Sequence, residues 1–92
     1  MIKSVSGQII KCKIVDSTQT PIPFAVIGVL NSNDSSLIGG NIADYNGSCL
    51  IQNLHKGIYF LKITAVGFAP LYSSMINLDT TSVIDLLNIT LK

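Results

Sequence analysis

Glutamate, arginine and tryptophan are absent from this 92-residue chain, and histidine occurs once, at His55. Loss of the first two removes residues that commonly populate surface helices. It tilts a chain rich in Ile, Val and Thr towards strand. One histidine and two cysteines, Cys12 and Cys49, give no ligand set at zinc spacing, so no metal, cofactor or catalytic residue is assigned. Serines are numerous, but none sits in a Gly-x-Ser-x-Gly elbow, and His55 could act as their base only by coincidence. The chain is therefore read as non-enzymatic. Charge is sparse too: charged residues make up 12% of the chain and the net charge is +1. The six lysines (Lys3, Lys11, Lys13, Lys56, Lys62 and Lys92) are scattered rather than aligned, so no basic stripe exists for a phosphate backbone and nucleic acid is not an expected partner. Runs free of polar side chains, such as Phe24 to Leu30, fall well short of the roughly 20 residues a membrane-spanning helix needs. The start, Met1 to Gly7, has neither the long apolar centre nor the small-residue cleavage site of a secretory signal. This reads as a cytoplasmic protein if the chain is complete, or as one whose signal lay ahead of Met1.

What is present describes a sandwich. Hydrophobic residues reach 48% and the mean hydropathy is +0.52, high enough that some strands must be apolar on both faces, and disorder is excluded. A chain this short closes one core, so a single domain over 1–92 is expected, with its core at about 8–91. Turn residues recur at about the 8–12-residue spacing of a sandwich or small barrel, and seven strands fit. The first, Gln8 to Val15, places Ile10, Cys12 and Ile14 on one face and Lys11 and Lys13 on the other. Pro21 and Pro23 confine the second to Phe24–Leu30. Leu37–Ala43 is weakened by Gly39 and Gly40 into an edge or bulged strand. Asn46-Gly47 predicts a hairpin joining it to Ser48–Asn53. From Ile58 to Val66, alternation turns Tyr59, Leu61, Ile63 and Ala65 inward and leaves Ile58, Phe60, Lys62, Thr64 and Val66 outside. Gly67 and Pro70 break the ladder, Leu71–Leu78 resumes it, and Asp79-Thr80-Thr81-Ser82 turns into Val83–Leu91, with Leu87, Ile89 and Leu91 towards the core.

Chemistry is thinner than architecture. Leu54-x-x-Gly57-x-Tyr59 has the form of a tyrosine corner, whose phenol hydroxyl bonds back to the preceding backbone. Asp44-Tyr45-Asn46-Gly47 looks superficially like a calcium loop. In an EF-hand frame with Gly47 sixth, however, Ile42 falls first and Asn53 falls where a bidentate Glu is required, so the turn reading is kept. Cys12 and Cys49 allow one bridge, worth roughly 4 kcal/mol on the chain-entropy model, or two buried thiols acting as small hydrophobes; the thiols are favoured. The outward apolar residues Phe24, Val26, Ile58 and Phe60 form a candidate interaction face.

The ordered series Val15-Asp16, Pro21-Ile22-Pro23-Phe24-Ala25, Ala43-Asp44-Tyr45-Asn46-Gly47, Leu54-His55-Lys56-Gly57-Ile58-Tyr59 and Val66-Gly67-Phe68 resembles the carboxypeptidase regulatory-like domain over about Ile10 to Leu91. The resemblance implies an all-β, transthyretin-like sandwich of seven antiparallel or mixed strands, with Asp44, Asn46, Gly47, Leu54, Gly57, Tyr59 and Gly67 in structural roles. Cys12 and Cys49 depart from it, standing where that family usually has Gly and Phe. Such domains occur beside metallocarboxypeptidases and, in Bacteroidetes, ahead of TonB-dependent outer-membrane receptors. By this resemblance the chain is an accessory domain of a cell-envelope protein, in the periplasm or at the outer membrane, with a signal encoded before Met1 and further sequence after Lys92. Its partners would be another protein or adjoining domains. Adhesion modules of the pilin and Cna-B type share the sandwich and cross-link a first-strand Lys to a last-strand Asn through a buried acid. Lys13 and Asn88 lie near suitable places, but the acid is missing and Lys13 points outward. A small-molecule module binding a carbohydrate or hydrophobic ligand is the alternative, and Tyr45 and Tyr72 without tryptophan give it only a thin platform.

Overall fold

The computed structural model describes residues 8–78 and 83–92, all of it strand, turn or irregular. Among these residues eight strands form: β1 (Gln8–Val15), β2 (Val26–Asn31), β3 (Leu37–Ile42), β4 (Ser48–Leu54), β5 (Gly57–Thr64), β6 (Leu71–Tyr72), β7 (Ile76–Leu78) and β8 (Val83–Thr90). They make two facing sheets. One has the order β4-β1-β8, the other β3-β2-β5-β6 with β7 also on β5. The fold is thus the expected all-β sandwich. β1 runs antiparallel to β4 and parallel to β8. A parallel pair needs a long crossover, and here the rest of the chain supplies it.

Alternation places the core as the sequence implies. Ile10, Cys12 and Ile14 of β1, Ile27 and Val29 of β2, Cys49 and Ile51 of β4, and Tyr59, Leu61 and Ile63 of β5 are all buried between the sheets. Leu78 and Leu91 are buried in the same cluster.

Four expectations are corrected. The segment Leu71–Leu78 is two short strands rather than one, which raises the count to eight. Between them Ser73 Oγ accepts the Leu61 N–H at 2.8 Å while the Ser73 N–H donates to Leu61 O at 2.9 Å, so a side chain takes over part of the ladder. Phe24 lies outside β2. Its backbone is left-handed (φ 63°) and its ring 63% exposed, because the buried Ala25 is what pairs onward, its carbonyl accepting the Ala43 N–H. Leu87 does not face the core but is 70% exposed, at φ 57°. Lys11 pairs with Asp85 but Lys13 with Asn88, so β8 carries an extra residue there, and this bulge turns Leu87 outwards. Ile84 and Leu86 before it and Ile89 after it pack against the core instead.

The fourth correction concerns Asn46-Gly47. The turn is tight: Gly47 N–H donates to Asp44 O at 3.0 Å, and the Asp44 carboxylate accepts from Asn46 N–H and Ser48 N–H, both at 2.9 Å. Gly47 is at φ 78°, and a Cβ there would lie 2.6 Å from Ile14 O, so glycine is required. Yet the strands it joins part at once. β3 pairs with β2, and β4 with β1, so the turn is a crossover between sheets rather than the head of a hairpin. The turn expected at Asp79-Thr80-Thr81-Ser82, and the segment Met1–Gly7, lie outside the described residues.

Candidate interaction face

Tyr59 Oη donates to His55 O at 2.8 Å, closing the β4–β5 corner, with Leu54 buried beneath it. Gly57 leaves room for the ring, since a Cβ there would stand 3.2 Å from Tyr59 Oη. Gly67, at φ 87°, turns the chain between β5 and β6. His55 and Tyr45 are both exposed.

Of the four residues expected on an apolar face, three share the outer surface of the five-stranded sheet and Phe24 sits off it, in the loop before β2. The register assembles that surface. Val26 pairs with Ile42 and Thr64, Leu30 with Leu37 and Phe60, and Ile58 with Asn77. Leu30 and Phe60 are half-buried there, and the exposed large apolar members run from 46% at Ile58 to 70% at Leu37. Phe60 and Tyr72 rings lie 6.3 Å apart, and Lys62 Nζ stands 5.8 Å from the Tyr72 centroid. Lys62 is the one charged residue at these strand positions. The sequence pointed to Val26, Ile58 and Phe60 by alternation within single strands. It missed Leu37, Ile42 and Tyr72, which only sheet register brings alongside.

Edges are handled differently from the face. Ala43 N–H bonds to Ala25 O, so by alternation Ile38, Gly40 and Ile42 direct their backbone groups out of the sheet along the β3 edge. Likewise Ile14 N–H bonds to Gly47 O, and β4 turns the groups of Ser48, Leu50 and Gln52 outward. Asn41 bridges the two edges: its Oδ1 accepts the Ile42 N–H at 2.8 Å and its Nδ2 donates to Leu50 O at 2.9 Å. Asp44 engages both backbone groups of Ser48. On β8 the bulge is fixed by Asp85, whose carboxylate accepts the Leu87 N–H at 2.9 Å. The β6–β7 edge is interrupted at Ser73. Such interruptions and bulges blunt strand addition.

The outer face of the three-stranded sheet is more polar. A hollow of about 480 Å³ lies among Lys11, Lys13, Asp44, Asp85 and Asn88. Lys13 and Asn88 are register partners, with the Asn88 amide donating to Gln19 Oε1 at 3.2 Å. Among the described residues no group of three or more His, Cys, Asp or Glu could hold a metal ion. No helix there is long and apolar enough to cross a membrane.

Ionisation is perturbed at two kinds of site. The Thr18 hydroxyl and the Thr20 and Thr18 amides hold the Asp16 carboxyl below its ordinary range, and the Ser36 hydroxyl and amide do the same for Asp34. In the core, a hydrogen bond with Cys49, reinforced by burial, pushes the Cys12 thiol far up; the same contact lowers Cys49 against its burial.

No family model matches the sequence, and no curated relative does either. Solved structures do resemble the fold. The Bacillus anthracis TIE protein is 16% identical with a TM-score of 0.76, covering 95% of this chain and 16% of its own. A group B streptococcus pilus 2b backbone protein is 18% identical at 0.69, covering 98% and 42%. Chlorocatechol 1,2-dioxygenase from Pseudomonas putida is 14% identical at 0.70, covering 94% and 60%. This chain thus spans less than two thirds of each of them. At these identities the likeness is one of fold, a sandwich of the transthyretin and immunoglobulin kind, shared by pilus and enzyme domains alike.

Proposed function

We propose that this chain is a non-catalytic accessory domain that docks a neighbouring protein, or an adjoining domain of its own polypeptide, through the outer face of the five-stranded sheet. The observation that carries this reading is the apolar make-up of that face: Val26, Leu37, Ile42, Ile58 and Tyr72 are all exposed on one continuous surface. Contiguous apolar surface of this kind marks docking more often than idle exposure. Capping at the edges favours the face over strand addition, the other route by which a sheet recruits a partner.

Size and likeness support a module beside other domains, since sandwiches of this shape are minor parts of the TIE and pilus chains. The finer reading rests on the sequence resemblance to carboxypeptidase regulatory-like domains: an extension ahead of a TonB-dependent receptor, in the periplasm at the outer membrane. Two experiments separate these levels. A photo-reactive side chain at Ile58 or Val26, introduced in the native cell, should give one discrete adduct, and the same probe at Leu50 on the opposite sheet should give none. Adducts from Leu50 alone, or from neither sheet, overturn docking by this face. The flanking coding sequence tests the receptor reading, which requires an upstream secretory signal and a downstream outer-membrane barrel.

A second reading, a small-ligand module, is favoured by the hollow of about 480 Å³ on the three-stranded sheet, which falls within the roughly 300–1,000 Å³ of ligand sites. Its lysines, carboxylates and amide stand beside Leu50 and Leu87, a mixture that suits a ligand with both polar groups and an apolar face, such as a carbohydrate. Saturation-transfer NMR against an oligosaccharide panel would detect it.

A further inference from the structure

Gly40, Gly28, Lys62 and Tyr72 form a single row across four strands, each paired with the next. The rows on either side carry Ile42, Val26 and Thr64, and Leu37, Leu30 and Phe60. Two adjacent glycines therefore remove the side chains from one row of an otherwise apolar surface, leaving a trough floored by bare backbone. A hollow of about 200 Å³ lies there, lined by Val26, Gly28, Leu30, Leu37, Lys62 and Thr64. A Cβ built on Gly28 would stand 3.2 Å from Leu37 Cδ1, so even one methyl group at Gly28 presses on the wall. Lys62 does not fill the space, because its ammonium lies over the Tyr72 ring at the far end of the row.

Size and charge decide what fits. The volume is below the roughly 300 Å³ at which small-molecule sites begin, and suits one side chain better than an enclosed ligand. Large apolar side chains seated in such sockets are the residues that dominate docking energies. The lining holds one cation and no carboxylate. A cation placed over an aromatic ring is already positioned, and an opposite charge on a partner would fix the orientation of docking.

We infer that the hollow over Gly28 and Lys62 is the anchor socket of the docking face: it takes one large apolar side chain from a protein partner, with a flanking Asp or Glu set against Lys62. This deepens the docking reading and rests on it. The probe is a displayed library of random linear peptides, selected on the purified chain and assayed on two variants. Gly28→Val fills the floor next to a movable leucine methyl. Lys62→Glu inverts the charge at an exposed position and serves if Gly28→Val does not fold. Recovered peptides should carry Phe, Trp, Leu or Met within two positions of Asp or Glu. They should bind either variant at least tenfold more weakly than the parent, and selection on Lys62→Glu should recover Lys or Arg in place of the acid. Peptides that bind both variants as tightly as the parent overturn the socket. So does the absence of any enriched sequence, or 3-phenylpropionate competing as well as a selected peptide, which would make this a small-ligand site. Any of these leaves broad docking by the face to be decided by the crosslinking experiment, so the two failures are separable.

Discussion

Cys12 and Cys49 stand directly opposite each other in the antiparallel register of β1 and β4, both buried and both free thiols. Because Ile14 N–H bonds to Gly47 O, stepping by two along the same register puts Cys12 and Cys49 in the hydrogen-bonded kind of pair. Such pairs hold their Cα atoms about 5.5 Å apart, with Cβ atoms at the long end of the cross-strand range. A disulfide draws the Cβ atoms to about 3.5–4.5 Å. The Cα separation is one that disulfides accept, so bridging would require the two Cβ atoms to swing towards each other by a local twist within a packed core.

Both thiols should accordingly survive air and glutathione disulfide. Titration with a thiol reagent in denaturant should count two, and the intact mass should be that of the dithiol. A loss of two hydrogens, restored by reductant, would show that the Cβ atoms do come together.

Tyr59→Phe should destabilise the fold by roughly 1–3 kcal/mol, since it leaves the His55 carbonyl without its partner at a part-buried corner. The denaturant midpoint should fall with its slope unchanged. An unchanged midpoint would mean that the corner is held by packing alone.

Asn41→Leu removes the bond to Leu50 O that ties the β3 edge to the β4 edge and the acceptor that caps the Ile42 N–H within β3. The site is exposed, so the stability loss should be about 1 kcal/mol or less. The larger effect should be concentration-dependent self-association in sedimentation velocity, as the Ile42 N–H and Leu50 carbonyl become free to pair with another strand. Asn41→Asp keeps the acceptor for Ile42 and should associate less.

Leu87→Asn should be neutral or stabilise by up to about 1 kcal/mol, because Asn tolerates a left-handed backbone that costs leucine energy. A leucine facing the core would instead cost about 2–5 kcal/mol when made small and polar. Thermal melts distinguish the bulge from the alternating strand that the sequence suggests.

Acid sensitivity should arise from Asp16 and Asp34, which brace the turns after β1 and β2. Their carboxyls lie below the ordinary value of 3.8 in the folded state. A depressed carboxyl adds stability that is present above the unfolded value and is lost as pH falls through the folded one. Stability should therefore be level near neutrality and decline below about pH 4. Asp16→Ala and Asp34→Ala should each flatten that decline. Carboxyl titration by NMR checks the direction at each residue.

The sequence alone determined which residues face inward along β1 and β5, that Asp44–Gly47 turns, and that Tyr59 closes a corner. Each depends on neighbours a few residues apart, through alternation, side-chain-to-backbone bonds or a glycine's freedom. Tertiary structure decided what local pattern leaves open. The tight turn at Asn46-Gly47 is the same whether its strands pair with each other or diverge, and β3 and β4 diverge because their partners are β2 and β1. Leu87 leaves the core because a bulge reconciles β8 with the register of β1, a fit between strands some seventy residues apart in sequence. The same cause opposes Cys12 to Cys49 and aligns Gly28 with Gly40 and Lys62. Alternation gives the face of a single strand, whereas a surface several strands wide exists only once hydrogen bonds between distant segments have set their register.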